Sequence, residues 1–244
     1  MSGDDKNPDA ARRRMVKPPT GGDPAGRGMG TPVKTADNRT LSSQQWLRRQ
    51  LNDPFVKAAK AHGYRARAAY KLTEIDDKFH LIRKGTRIID LGCAPGGWLQ
   101  VALERGAGAV AGVDLLPVGP LPPAHVIEGD FTDPTVGPRL LELLGGPPDL
   151  VLSDMAPNTL GHRQTDHLRI VMLIEAAATF AVENLKPGGV FVAKAFQGGE
   201  TAEVLRTLKA HFDEVKHVKP KASRVDSSEV FLVATGFKGR GDGG

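Results

Sequence analysis

The chain has a single cysteine, Cys93, in 244 residues. One thiol cannot build an intramolecular disulfide framework, and such sparing use fits a reducing, cytoplasmic setting. No Cys/His cluster has the spacing of a zinc site, so no metal is expected. No apolar run approaches the ~20 residues of a membrane span, so no membrane partner is expected. The N-terminus has no apolar core of the kind a signal peptide needs. The glycine-rich stretches lack the G-x-G-x-x-G spacing of a dinucleotide site. These absences set aside disulfide scaffolds, zinc modules, membrane proteins and the nicotinamide fingerprint.

A hydrophobic fraction of 40% is enough for a real core, and 244 residues leave room for one domain plus a tail. The net charge of +5 points to a polyanionic partner. Residues 1–40 read as a disordered tail, rich in Gly, Pro, Arg and Asp and nearly without large apolar residues. Arg12, Arg13, Arg14 and Lys17 there either touch phosphates loosely or are simply solvated. The remainder, 41–240, reads as a single domain with no internal repeat.

Residues 41–80 form a basic helical segment. Ser42 and Gln45 have the spacing of a capping box before a helix carrying Trp46, Leu47 and Leu51. Asp53 and Pro54 mark a second start, with Asp at the N-cap and Pro at the first helical position. That helix is expected to end near His62, before Gly63. A third, over 66–80, puts Ala69, Leu72, Ile75 and Phe79 on one face. Arg48, Arg49, Lys57, Lys60, Arg65, Arg67 and Lys71 make the segment as a whole a candidate RNA surface, although each arginine taken singly equally fits a charge that only solvates a helix face. Tyr64 and Tyr70 either stack on bases or complete the core.

From residue 87 strands and helices alternate. Strands are expected at 87–91, 109–113, 125–128, 149–153 and 190–196, and helices at 97–105, 135–144, 166–185 and 200–211. This rhythm implies an α/β fold with a mostly parallel, doubly wound sheet. Two final strand-like runs, 214–219 and 230–236, have no helix between them and should pair antiparallel. The first strand runs into the glycine turn of RIIDLGCAPGGW (Arg87 to Trp98), and the turn opens a helix. In such sheets a nucleotide-like cofactor lies outside the carboxyl ends of the strands. Gly92, Gly96 and Gly97 remove side chains where a ligand must come close. Asp114, about twenty residues on, is placed to accept ribose hydroxyls or to close a strand-end turn. Cys93 fills a small space, with nothing nearby to mark a nucleophile.

Charge also appears where the burial pattern calls for apolar residues. Lys194 ends the strand VFVAKAF, and lysine is rarely buried without a partner. Asp154 closes the strand before the DMAPN turn, on the same sheet edge as the glycine loop. Glu229 opens the last strand, and Lys71 lies on the third helix. Singly, each is a common surface residue.

Together these residues resemble the Lys–Asp–Lys–Glu tetrad of the FtsJ-like RNA 2′-O-methyltransferases. Lys71, Asp154, Lys194 and Glu229 fall in that family's order, within AYKL, SDMAPN, KAFQG and SEVFLVATG. The DLGCAPGGW loop resembles the family's S-adenosyl-L-methionine loop. The likeness runs from about residue 43 to 237 and is strongest to the bacterial members acting on ribosomal RNA of the large subunit. Departures are Cys93, where alanine is usual, and a longer N-terminal tail. The resemblance implies a Rossmann-like methyltransferase fold with a C-terminal antiparallel strand. It also implies S-adenosyl-L-methionine as cofactor, held by Gly96, Trp98, Asp114, Asp130 and Asp154. Asp130 would meet the adenine amine, although a Gly-Asp pair alone is only a turn. Trp98 would touch the cofactor, although its composition favours the core.

The implied reaction moves a methyl group from a sulfonium to the ribose 2′-hydroxyl of a uridine in 23S RNA, on the assembled subunit, by a cytoplasmic monomer. Two tasks fall to the protein: aligning oxygen, carbon and sulfur, and dealing with the hydroxyl proton. Lys194 is the candidate base or, if charged, the group that stabilises the alkoxide. Asp154 orients it, and Lys71 and Glu229 hold ribose and lysine in place. No step needs a metal. Transfer RNA, a messenger RNA cap and a non-catalytic RNA-binding role on the same fold remain alternative readings.

Overall fold

The computed structural model describes residues 44, 51–156, 163–197, 202–225 and 227–239, with side chains from 163 to 167 excepted. The tail at 1–40, the capping box at Ser42 and Gln45, Trp46, Arg48 and Arg49 lie outside those residues, as does the end of the DMAPN turn.

Helix α1 spans Pro54–Ala61, and Asp53 caps it by accepting the amides of Phe55 at 2.9 Å and Val56 at 3.4 Å. It stops where Gly63 takes a φ of +76°. Helix α2 spans Ala69–Phe79, three residues later than the periodicity indicates. The cause is local. Ala69, Tyr70 and Lys71 donate to the carbonyls of Ala66, Arg67 and Ala68, three residues back, so the lead-in is a tight turn rather than α-helix. Ala69, Leu72 and Ile75 are fully buried.

The remaining elements are β1 (Arg87–Leu91), α3 (Gly97–Glu104), β2 (Ala109–Asp114), β3 (His125–Glu128), α4 (Val136–Leu144), β4 (Leu150–Ser153), α5 (Arg163–Asn184), β5 (Val190–Phe196), α6 (Ala202–His211), β6 (Phe212–Val218) and β7 (Glu229–Phe237). They build a 7-stranded sheet in the order β3-β2-β1-β4-β5-β7-β6. The β1, β2, β3, β4 and β5 pairings are parallel, and β7 runs antiparallel to both β5 and β6. This is the expected mostly parallel α/β sheet with a C-terminal antiparallel strand.

The last strand does not extend the sheet at its edge. It fills the slot between β5 and β6. Burial explains the choice. Phe231, Leu232, Val233 and Ala234 are all buried, so successive residues face apolar layers on both sides. In β6, by contrast, Glu214, Lys216 and His217 are exposed, as suits an edge.

Alternate residues along the strands feed two cores. On one face Ile89, Val113, Val151, Phe191 and Leu232 pack with α4, α5 and α6. On the other Ile88, Val110, Leu152, Val192 and Phe231 pack with α2 and α3. The second face carries the candidate site, because Asp90, Asp154, Lys194 and Glu229 continue its alternation to the carboxyl edge of the parallel strands. Helix α2 lies over that face and brings Lys71 to it.

Candidate active site

β4 and β5 are paired in parallel with Ser153 opposite Ala193, so Asp154 and Lys194 come next, side by side. Lys194 Nζ donates to the backbone oxygen of Asp154 at 2.7 Å and stands 3.0 Å from its Oδ1. The amine is 9% exposed. Opposite Lys194 on β7 is Phe231, and Glu229 lies two residues before it on the same face. Lys71 Nζ reaches down from α2, 2.8 Å from Glu229 Oε2 and 4.0 Å from Asp154 Oδ1, above the Phe231 ring. All four residues that the sequence singled out for catalysis thus meet in one cluster.

The cluster is strongly coupled. Burial alone would raise the Glu229 carboxyl, but the charge of Lys71, hydrogen bonds from Lys71 and Ser223, and the charge of Lys194 hold it below its ordinary value. Ser223 Oγ donates to Glu229 Oε1 at 2.7 Å, so both oxygens of that carboxylate are engaged. Asp154 Oδ1 is buried and takes no well-aligned hydrogen bond, despite the two lysines around it.

Beside the cluster runs the glycine loop. Gly92 has φ +79°, and a Cβ there would come within 2.7 Å of Met155 Cγ and 3.0 Å of Met155 backbone. The loop after β1 therefore presses against the loop after β4. Gly96, with φ +105°, opens α3 without a side-chain cap, and a Cβ would meet Arg65 Nη1 at 2.9 Å. Asp114 Oδ2 accepts the Ala94 amide at 2.8 Å and Oδ1 the Leu116 amide at 2.9 Å. It therefore holds the loop, with lone pairs left for hydroxyl donors. Asp130 is exposed, and its Oδ1 takes the amide and hydroxyl of Thr132 at 2.9 and 2.7 Å. The Trp98 ring is 3% exposed, packs on Phe231 and donates from Nε1 to the Ala68 oxygen at 2.8 Å. Its ring belongs to the core, and what it offers the loop is a backbone amide in the first turn of α3. Burial, Asp90 and Asp114 push the Cys93 thiol up, consistent with a space-filling residue.

The sequence reasoning passed over Asp90. It is the penultimate residue of β1, the strand that leads into the loop, is 1% exposed, and neither carboxylate oxygen has a hydrogen-bond partner. Burial, then Asp154 and Asp114, pushes it well above the usual carboxylate range. The signal was there: a carboxylate in RIIDL breaks an apolar strand as Lys194 does.

The basic segment behaves differently from its sequence reading. Arg65 donates to the carbonyls of Gly119 and Pro120 at 2.7 Å each, and to Pro95 at 3.3 Å. Arg67 pairs with Asp53, donates to the Ala222 oxygen and lies over the Phe55 ring. Both guanidinium groups therefore bind the protein's own chain. Tyr70 is fully buried, with its hydroxyl 2.7 Å from His62 Nδ1, and Tyr64 donates to Glu104 at 2.6 Å. Both tyrosines complete the structure. Of the described lysines and arginines in this segment, Lys57 and Lys60 on α1 and Lys78 at the end of α2 stay exposed.

Residues 64–237 match the model of the FtsJ-like methyltransferase family. The chain belongs to the FtsJ-like methyltransferase family. Within it, the chain is 69% identical over 226 residues to the Ribosomal RNA large subunit methyltransferase E of Caulobacter vibrioides, covering 93% of this chain and 100% of that protein. A protein of the same name from Granulibacter bethesdensis is 57% identical, with 93% and 96% covered. Among solved structures, a protein described as a ribosomal RNA methyltransferase from Plasmodium falciparum superposes with a TM-score of 0.65 at 33% identity. That match covers 72% of this chain and 100% of the other. Membership of the FtsJ-like family makes the chain an enzyme that transfers a methyl group. Among the described residues no helix is long and apolar enough to cross a membrane, and no group of His, Cys, Asp and Glu could hold a metal ion.

Proposed function

We propose that this protein transfers the methyl group of S-adenosyl-L-methionine to the ribose 2′-hydroxyl of a uridine in 23S ribosomal RNA. The assembled large subunit is its substrate, and it works as a cytoplasmic monomer, one domain from 41 to 240 with a tail before it. The observation that carries the reading is the Lys71–Glu229 and Asp154–Lys194 cluster beside a glycine loop. The names carried by its relatives in the FtsJ-like family support the RNA class.

The residues fit a cationic methyl donor. Asp90 offers a buried carboxylate with both oxygens unpartnered, which costs several kcal/mol unless a proton or a cation answers it. Asp114 has lone pairs for ribose hydroxyls, and Gly96 and Trp98 lie where the loop opens α3. Asp130 stands at the far end, after β3. When bound, the donor supplies a methyl group already activated by a leaving group that departs as a neutral thioether.

The protein then governs the acceptor. Lys71 and Lys194 converge on Asp154 and mark where the 2′-oxygen must lie. The 2′-hydroxyl held there would give up its proton, to Lys194 or to water, as its oxygen takes the methyl group. As an amine, Lys194 takes that proton; as an ammonium, it stabilises the alkoxide. Asp154 holds Lys194 through two contacts, and Glu229 fixes Lys71. Alignment of this kind is worth up to ~7–11 kcal/mol.

The test is transfer of tritiated methyl to large subunits from cells lacking the protein, followed by nucleoside mapping. The label should fall on one uridine ribose and make the adjacent phosphodiester resistant to alkali, because its 2′-hydroxyl can no longer attack. Label on a base, on transfer RNA alone, or on no RNA at all would overturn the reading.

A further inference from the structure

The connection between β6 and β7 is held by side chains of a distant helix. Glu74 on α2 accepts the consecutive amides of Lys221 at 2.6 Å and Ala222 at 2.9 Å. Arg67, in the turn that leads into α2, donates to the Ala222 oxygen and is itself paired with Asp53 at the start of α1. Ala222 is fully buried against Ala59 and Tyr70. Backbone groups that would otherwise lack partners are thus satisfied by α2 and its lead-in.

What this strap delivers is Ser223. The residue is 4% exposed, and its hydroxyl donates to Glu229 Oε1 at 2.7 Å. Glu229 Oε2 in turn receives Lys71 Nζ at 2.8 Å. Lys71 and Glu74 are three residues apart on one helix, so they share a side of it. One rigid element therefore presents the lysine to the site and also builds the strap that aims the lysine's carboxylate.

We propose that Ser223 is a positioning residue for methyl transfer, fixing the Glu229 carboxylate so that Glu229 holds Lys71 toward Asp154, with Glu74 and Arg67 shaping the strap that places it. This rests on the reading above that Lys71 and Glu229 serve the reaction. A glutamate has three side-chain torsions, and with only Lys71 as partner the pair could swing together. The hydroxyl on the other oxygen removes that freedom. A hydrogen bond to a charged group is also among the stronger kinds.

The variant is Ser223→Ala, which deletes one hydroxyl and keeps the strap's bonds to Glu74 and Arg67. In carbon-13-labelled protein the Glu229 carboxyl reports its own titration. The charged groups that face it are Lys71 on α2, Arg67 before α2, Lys194 on β5 and Asp154 after β4, and the variant leaves them all in place. Losing a hydrogen bond to the ionised form should move the Glu229 midpoint to higher pH, and an unmoved midpoint overturns the proposal. This readout needs no substrate, so it is separate from the question of what RNA is methylated.

In single-turnover transfer with cofactor saturating, Ser223→Ala should lose about tenfold or more in rate. Affinity for S-adenosylhomocysteine should stay unchanged. Combined with Lys71→Ala, it should cost nothing further, because the two act as one unit. A loss that multiplies through the Lys71→Ala background marks a general structural defect and overturns the positioning role. A wild-type protein that labels no ribose hydroxyl refutes the proposed function, while the titration still decides for or against Ser223.

Discussion

A lysine at the end of an apolar strand stays buried only because of what meets it. For Lys194 that is the backbone oxygen and side chain of Asp154. Replacing it by alanine should leave the fold and S-adenosylhomocysteine affinity nearly intact while methyl transfer falls by orders of magnitude. Lys194→Arg separates its two possible roles, because a guanidinium remains protonated. Single-turnover rates read the outcome. No recovery over Lys194→Ala fits proton removal, and partial recovery fits charge stabilisation. A wild-type rate in Lys194→Ala removes the residue from the mechanism. Asp90 offers the opposite case, a carboxylate with nothing to meet it. Its carboxyl is raised in the folded protein above the unfolded value of 3.8, so within that window the native state holds a proton that the unfolded state releases. Stability must therefore fall as pH rises through the window. Asp90→Asn removes the dependence. The variant should be more stable than the wild type at neutral pH without ligand, with the difference closing toward pH 4, and it should bind the cationic cofactor more weakly. Urea denaturation across pH, with calorimetry, measures both. A wild type no less stable than Asp90→Asn at neutral pH would contradict the argument.

At the scale of elements, the start of α1 does more than its cap signal shows. Asp53 accepts two amides at the helix end and also pairs with Arg67, while its own side chain is only 9% exposed. A lost cap costs ~0.5–2 kcal/mol. Asp53→Ala also strands a buried guanidinium, so the total should reach about 3 kcal/mol or more. Asp53→Asn, which can still cap, should lose less. Denaturation midpoints decide, and a loss no larger than that of an ordinary cap would show that Arg67 has found another partner. The same elements show what the sequence could convey. Asp53, Pro54 and Gly63 announced α1 because caps are local chemistry. β1, β3 and β5 were found at their true ends because an apolar run between turns is also local. The start of α2 was not, since its lead-in turn has no distinctive composition. Nor was the place of β7, which depends on which strands are left needing a neighbour. Lys194 was legible because it violates a pattern. Arg65 and Arg67 are ambiguous in the sequence because an arginine looks the same whether it meets a phosphate or the carbonyls of Gly119 and Ala222. Ser223 and Glu74 carried no signal, since their importance lies in partners well separated from them in sequence.

At the scale of the molecule, internal use of those arginines moves the expected RNA surface. Exposed cations remain on α1, at Lys57 and Lys60, and on the strap, at Lys219 and Lys221. Arg67 ties the two regions together, so they form one flank of the site beside Glu229. Lys57→Ala with Lys221→Ala should weaken binding to ribosomal RNA without changing stability. The log–log salt dependence should become shallower by about 0.7–0.9 for each phosphate that is no longer neutralised. Arg65→Ala should instead act on stability and on the loop it holds. Filter binding over a salt series distinguishes them, and an unchanged slope in the lysine double variant would place the RNA elsewhere.

The position of β7 also governs when the enzyme can exist. Because β6 is translated first yet pairs only with β7, the growing chain carries β5 with an open edge and β6 with no sheet to join. Glu229 arrives as the first residue of the strand that closes the gap, and Lys71, made long before, lacks its 2.8 Å partner until then. The four residues can therefore come together only once the last strand has been made. A chain interrupted between residue 194 and residue 229 carries the glycine loop, Asp154 and Lys194, yet lacks the carboxylate that holds Lys71. On the proposed function, an unfinished copy would therefore lack one member of the cluster that handles the acceptor.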